Sequence, residues 1–277
     1  MADLYGSGLS LGNMLVPVKA ATIYAAQEQS LFLGGNLIPV VNTPGITLRV
    51  PRLDDSVTAV TASGNFGGSN AEDVPNALPT DTKTDITCDL YAARTVVRDL
   101  GGIDPNEIGR MLGMAVAKKF DQDVLTALDS LDAKDATTDI GTVNMDDLFE
   151  VAAQIRGHGE TGQLYGVISP TAALELSKSL TTGTANFAGG DFQTEALRNG
   201  FIGQAAGIQL FISAYAENST KMGYVFSADA ARIAMQKNVD IEIARRPEAV
   251  GFDVVASLHA GVAVTDSERG VKMVDAA

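Results

Sequence analysis

Between residues 105 and 131 apolar positions return at helical spacing: Ile108, Met111, Leu112, Ala115, Val116, Phe120, Val124, Leu128 and Leu131. Asp104-Pro105-Asn106-Glu107 ahead of them supplies an N-cap, a proline at the first helical position and an acid three residues past the cap. The pattern predicts a long helix over 105–131. A second helix opens at Asn144, carries Met145, Leu148, Val151, Ala152 and Ile155 on one face, and stops at Gly157 and Gly159. The strand QLYGVIS follows, and Ser169-Pro170 starts a third helix from Thr171 to Ser179. A shorter helix is expected near 195–202. Upstream, good helix formers after Pro17 predict a helix over 18–33, ended by Gly34-Gly35.

Elsewhere the period shortens to that of strands. LIPVV, ITLRVPRL and SVTAVT are short β-branched runs in residues 37–61, and Pro39 and Pro51 confine them to edges or to an isolated ribbon. Residues 63–82 are rich in Gly, Asn and Pro and read as a long loop. After it, KTDITCDLYAARTVVRDL reads as one returning strand with Ile86, Cys88 and Leu90 on one side. Residues 46–98 thus form a two-stranded excursion with a loose tip. Further strands are expected at 208–213, 222–226, Val239 to Ala244, Phe252 to Val264 and Val271 to Val274. Residues 180–194 form a second Gly/Thr-rich loop, and the first 16 residues read as an arm without a core of its own.

Charge narrows the partners. Lys plus Arg is 20 and Asp plus Glu is 34 in 277 residues, a net charge of −14. Such a surface repels phosphate backbones, which argues against a free nucleic-acid-binding protein. No apolar run reaches the ~18 residues of a membrane helix, and no basic, then apolar, leader opens the chain, so a cytosolic origin is expected.

Catalytic and metal chemistry find little support. Cys88 is the one cysteine, and His158 and His259 are the two histidines. That rules out a multi-cysteine zinc site and an H-E-x-x-H motif. Gly157-His158-Gly159-Glu160-Thr161-Gly162 fits G-x-G-x-x-G, but a helix precedes it and a strand follows, the reverse of a dinucleotide fold. Asp54-Asp55, Glu72-Asp73 and Asp146-Asp147 read as solvated charge. No enzyme, cofactor or metal is expected.

The order of parts, with two local stretches, resembles a known family. DPNEIGRMLGMAVAKKFDQDVLTAL, with its acidic Asp121/Asp123 ending, is similar to the spine helix of the major capsid proteins of tailed bacteriophages, which have the Hong Kong 97-type fold. VDIEIARRPEAVGFDVVASLHAGVAV, residues 239–264, is similar to that family's closing strands, in which two arginines precede a proline. The resemblance implies an α+β chain. Residues 1–35 would be an N-terminal arm. Residues 36–144 would be a peripheral domain, with an extended loop at 46–98 and the spine helix at 105–131. Residues 145–232 would be an axial domain, and 233–277 would return as strands to the peripheral domain.

The implied function is a structural shell protein that assembles into hexamers and pentamers around double-stranded DNA, touching the DNA only nonspecifically. Its partners would be further copies of itself, portal and scaffolding proteins and, as an optional addition, a cement protein. Its place would be the virion, assembled in the host bacterial cytoplasm. Candidate inter-subunit contacts are Arg49, Arg52, Phe66, Glu72, Asp73, Arg94, Arg98, Arg245 and Arg246. For Arg49, Arg52, Arg94 and Arg98, pairing with acids inside the same chain or plain solvation is an equal alternative. Some members cross-link through a lysine on the extended loop. Lys83, the one lysine in 46–98, is near the base, so noncovalent shells are expected. With roughly 35 residues ahead of the first strand, no built-in scaffold segment is expected. The alternatives are an encapsulin-like compartment, an α/β enzyme using His158 as base, and a phage tail or adhesion protein.

Overall fold

A computed structural model describes residues 18–26, 30–53, 81–98, 105–133, 143–182, 203–216 and 221–274. The strand expected at 56–61, the loop tip, the helix at 195–202 and the arm before residue 18 lie outside these. The first helix, α1, covers 18–26, followed by strands β1 (Val40–Asn42), β2 (Thr47–Leu53), β3 (Asp81–Thr87) and β4 (Asp89–Arg98). Helix α2 (Pro105–Leu128), the short β5 (Asp132–Ala133), α3 (Met145–Gly157), β6 (Leu164–Ile168) and α4 (Pro170–Thr182) come next. The closing part holds β7 (Gln204–Ala205), β8 (Ile208–Ile212), β9 (Lys221–Ser227), β10 (Ala231–Arg246), β11 (Gly251–Val264) and β12 (Gly270–Val274).

The strands form three sheets: a four-stranded one in the order β1-β10-β11-β4, a six-stranded one in the order β5-β12-β9-β6-β8-β7, and the pair β2-β3. Helix α2 lies against the four-stranded sheet. Ile108, Leu112, Val116, Phe120, Val124 and Leu128 bury into one core with Tyr91, Ile233, Ile241, Val254 and Leu258. A second core fills the space between α3, α4 and the six-stranded sheet. Strand β6 serves both, since its alternating side chains send Leu164 and Ile168 to the second core and Tyr165 and Val167 to the first.

Four expectations change. Helix α1 does not run to residue 33. The amide of Ser30 still reaches the carbonyl of Ala26 at 3.1 Å, but the amide of Leu31 turns to the Asp121 carboxylate at 3.1 Å. The single returning strand is two strands, broken at Cys88, because β3 pairs with β2 while β4 pairs with β11. Ile86 is consequently buried and Leu90 exposed, on different faces. Strand β10 begins at Ala231, well before Val239, since its first half is clamped between β1 and β11. The closing strands do not all return to the sheet over α2. Strand β12 pairs with β9 and β5, and its Val271 and Met273 fill the second core.

Candidate functional site

The feature that departs from ordinary domain packing is the ribbon β2–β3, whose two strands, among the described residues, pair only with each other. A lone hairpin is marginal in water, so a ribbon of this kind needs a surface to lie on. Its root is well defined. The Cys88 amide donates to the Ile46 carbonyl at 2.7 Å, closing the gap between the two strands. At Gly261 of β11 any side chain would collide with the carbonyl of Thr87, so glycine lets the ribbon cross the sheet here. The Cys88 thiol lies 3.7 Å from the Ala234 carbonyl, and burial pushes its pKa up, which leaves it a weak nucleophile. Pro44, Ile46, Cys88, Leu90, Gln236, Lys237 and His259 line a shallow groove of about 650 Å³ beside this root.

The candidate contact arginines are mostly engaged within the chain. Arg49 stands directly opposite Asp85 across the ribbon and holds it with two bonds, Nε to Oδ1 at 2.7 Å and Nη2 to Oδ2 at 3.1 Å. This bonding holds the Asp85 carboxyl below its ordinary range. Arg94 forks in the same way onto Asp253 of the adjacent β11, with Nε 2.8 Å from Oδ1. Arg52 reaches Asp266 at 2.8 Å. Arg245 lies over the Phe252 ring at 4.8 Å, and Arg246 stands 4.0 Å from Glu248. Arg98 ends β4 opposite Gly251; its side chain lies outside the described residues, as do Phe66, Glu72 and Asp73.

Sequence reasoning missed a charge cluster where the ribbon, the β9–β10 turn and the six-stranded sheet meet. Arg269 joins Asp266 at 2.9 Å, Glu160 at 2.9 Å and Asp229 at 3.7 Å. Burial alone would raise the pKa of Glu160, but the Gly162 amide, the Ser227 hydroxyl and Arg269 outweigh it and hold the group ionised below its usual value. Asp229 is also held low, chiefly by Arg232 at 2.6 Å. With Arg52, which also reaches Asp266, these residues come from four separate stretches of chain, and no local motif marks them.

Of the residues considered for catalysis, Cys88 and His259 both line the groove at the ribbon root. His158 caps the end of α3 on an exposed turn, with Nδ1 3.8 Å from Glu268. The glycine motif around it has α3 before and β6 after, as its sequence context required. Among the described residues no group of His, Cys, Asp or Glu is arranged to hold a metal ion, and no helix is long and apolar enough to cross a membrane.

No protein-family model and no curated protein matches the sequence. Solved structures do match the fold. The capsid structure of the cyanophage P-SCSP1u is 17% identical over 88% of each chain, with a TM-score of 0.65. The mature capsid of bacteriophage PhiM1 is 14% identical, covering 87% of this chain and 86% of its own, with a TM-score of 0.62. The chain has a phage capsid fold. A virus-like particle from Pyrococcus furiosus also shares it, at 13% identity, 94% and 98% coverage and a TM-score of 0.61. In all three comparisons the match spans most of both chains.

Proposed function

We propose that this chain is a major capsid protein, a structural subunit that builds an icosahedral shell around double-stranded DNA. The observation that carries the reading is the match of nearly the whole chain to capsid subunits, with neither structure leaving a large part unmatched. In this reading the fold is of the Hong Kong 97 type, α2 is the spine of a peripheral domain, and β2–β3 is the extended loop. The six-stranded sheet with α3 and α4 is the axial domain, and β12 belongs to it. Residues 1–35 form the arm. The partners are other copies in hexamers and pentamers, with portal, scaffolding and optional cement proteins, and DNA is touched only nonspecifically. The place of action is the virion, assembled in the host bacterial cytoplasm, and the chain has no enzymatic role.

Three features support it physically. The net charge of −14 suits a wall that must hold DNA without sticking to it. A ribbon that, among the described residues, pairs with nothing but itself suits a contact completed by a neighbour. Lys83, opposite Pro51 near the middle of the described ribbon, is not at its tip, which favours noncovalent shells. The likeness to the virus-like particle from Pyrococcus furiosus favours a second reading, a protein compartment of the encapsulin kind.

Negative-stain electron microscopy tests both readings, with the chain expressed alone and beside a scaffolding partner. Shells, or rings of five and six subunits, are expected. Nuclease-protected DNA in shells from infected cells supports the capsid, while shells with protein cargo support the compartment. A monodisperse monomer under both conditions overturns the shell reading.

A further inference from the structure

The ribbon has two unlike faces. Leu48 and Val50 of β2 stand opposite Ile86 and Thr84 of β3, and Arg52 follows two positions on, so these five share one face. Ile86 is buried at the root, Leu48, Val50 and Thr84 are half-buried, and Arg52 is exposed. Contact with the body therefore thins out along the ribbon. Beyond the thinly covered stretch, the Arg52 guanidinium reaches the body, with Nη2 2.8 Å from the buried Asp266 Oδ2.

The surroundings of Asp266 make that contact a seat for a removable cation. Three carboxylates, Glu160, Asp229 and Asp266, share two guanidiniums from the body, Arg232 and Arg269. Arg52 brings the third positive charge and balances the group. Losing one partner of a buried ion pair is normally costly, because the other charge is left alone. Asp266 escapes this. With Arg52 withdrawn it still accepts from the Glu268 amide at 3.2 Å and from Arg269 Nε at 2.9 Å. Arg52, at 43% side-chain exposure, is already partly hydrated. Both ends of the pair thus keep polar partners when it opens.

We propose that Arg52 is a latch that straps the ribbon against its own chain through Asp266, and that unseating it releases the ribbon to swing about its root. The root stays fixed by buried Ile86, by the Cys88–Ile46 hydrogen bond and by the close crossing at Gly261. The device is a property of the single chain and holds whether or not the chain builds shells.

Hydrogen exchange on the dispersed chain, read segment by segment, tests the latch with Arg52→Glu and Arg52→Lys. Glu at this position faces Asp266 with like charge, so amides of 47–53 and 81–87 are expected to exchange several-fold faster. Those of β10, β11 and the six-stranded sheet keep the wild-type rate. Lys retains the charge and returns most of the protection. Equal ribbon exchange in Arg52→Glu and wild type overturns the latch. A rise spread evenly over β10 and β11 also overturns it, since Arg52 is then a general stability residue.

Discussion

Asp121 shows how much one side chain decides. It sits inside α2, almost fully buried, and burial pushes its pKa up against the pull of Ser30, Leu31 and Phe32. Its carboxylate accepts from the Ser30 hydroxyl at 2.5 Å and from the Leu31 amide at 3.1 Å, while the Ser30 oxygen accepts from the Leu33 amide at 3.0 Å. Together these bonds end α1 and deliver Phe32, Leu33, Leu37 and Ile38 to the core. Asp121→Ala strips two partly buried donors, the Ser30 hydroxyl and the Leu31 amide, of their acceptor. It is expected to lower stability by about 1–3 kcal/mol, the usual cost of leaving such groups unpaired. Asp121→Asn keeps an acceptor oxygen without a charge to desolvate and is expected to lose less. Urea midpoints at equal m-values measure both, and a wild-type midpoint for Asp121→Ala would show that the carboxylate does not organise the turn.

Between elements, α1 approaches α2 closely enough to leave no room for side chains. A β-carbon at Gly109 would stand 2.6 Å from the Val18 carbonyl oxygen, and one at Gly113 would collide with that of Thr22. Glycines four apart lie on one helix face and let the two backbones touch. Gly113→Val is therefore expected to force the helices apart and cost about 1–3 kcal/mol. Met114→Val, one position on and exposed, serves as the control. Thermal unfolding decides between them, and equal melting temperatures would mean the α1–α2 contact contributes nothing. The glycine spacing was there to be read, yet its use depends on which helix arrives. Elements that satisfy themselves locally were legible. Helix α3 has its Asn144 cap, its five buried positions and its glycine stop where the pattern puts them. The break at Cys88 was not, because the alternation of Ile86, Cys88 and Leu90 runs straight across it and only a change of partner strand divides the two. ARIAMQ, the start of β10, has no strand signature of its own and is held extended by β1 and β11. The charge cluster was illegible for the same reason: Arg52 and Asp266 are brought together only by the finished fold.

At the scale of the whole molecule, two cores are joined by elements that serve both, so the halves are not independent. Gly270 at the start of β12 lies against Leu131 and Phe226, and Lys272 donates to the Asp129 carbonyl at 3.0 Å, just past the end of α2. Onto this frame falls a net charge of −14. Copies that approach each other repel, and the range of that repulsion is the Debye length, about 30 Å at 0.01 M salt and about 10 Å at 0.1 M. Of the candidate arginines with described side chains, Arg49, Arg52 and Arg94 already hold acids of their own chain. They therefore bring little unspent charge to a partner. If association rests on apolar and backbone contacts against this repulsion, added salt must help it. Light scattering is expected to show faster assembly, at a lower threshold concentration, at 0.3 M than at 0.01 M salt. Assembly that slows as salt rises would mean ion pairs between copies dominate, and that some of these arginines exchange their own acids for a neighbour's.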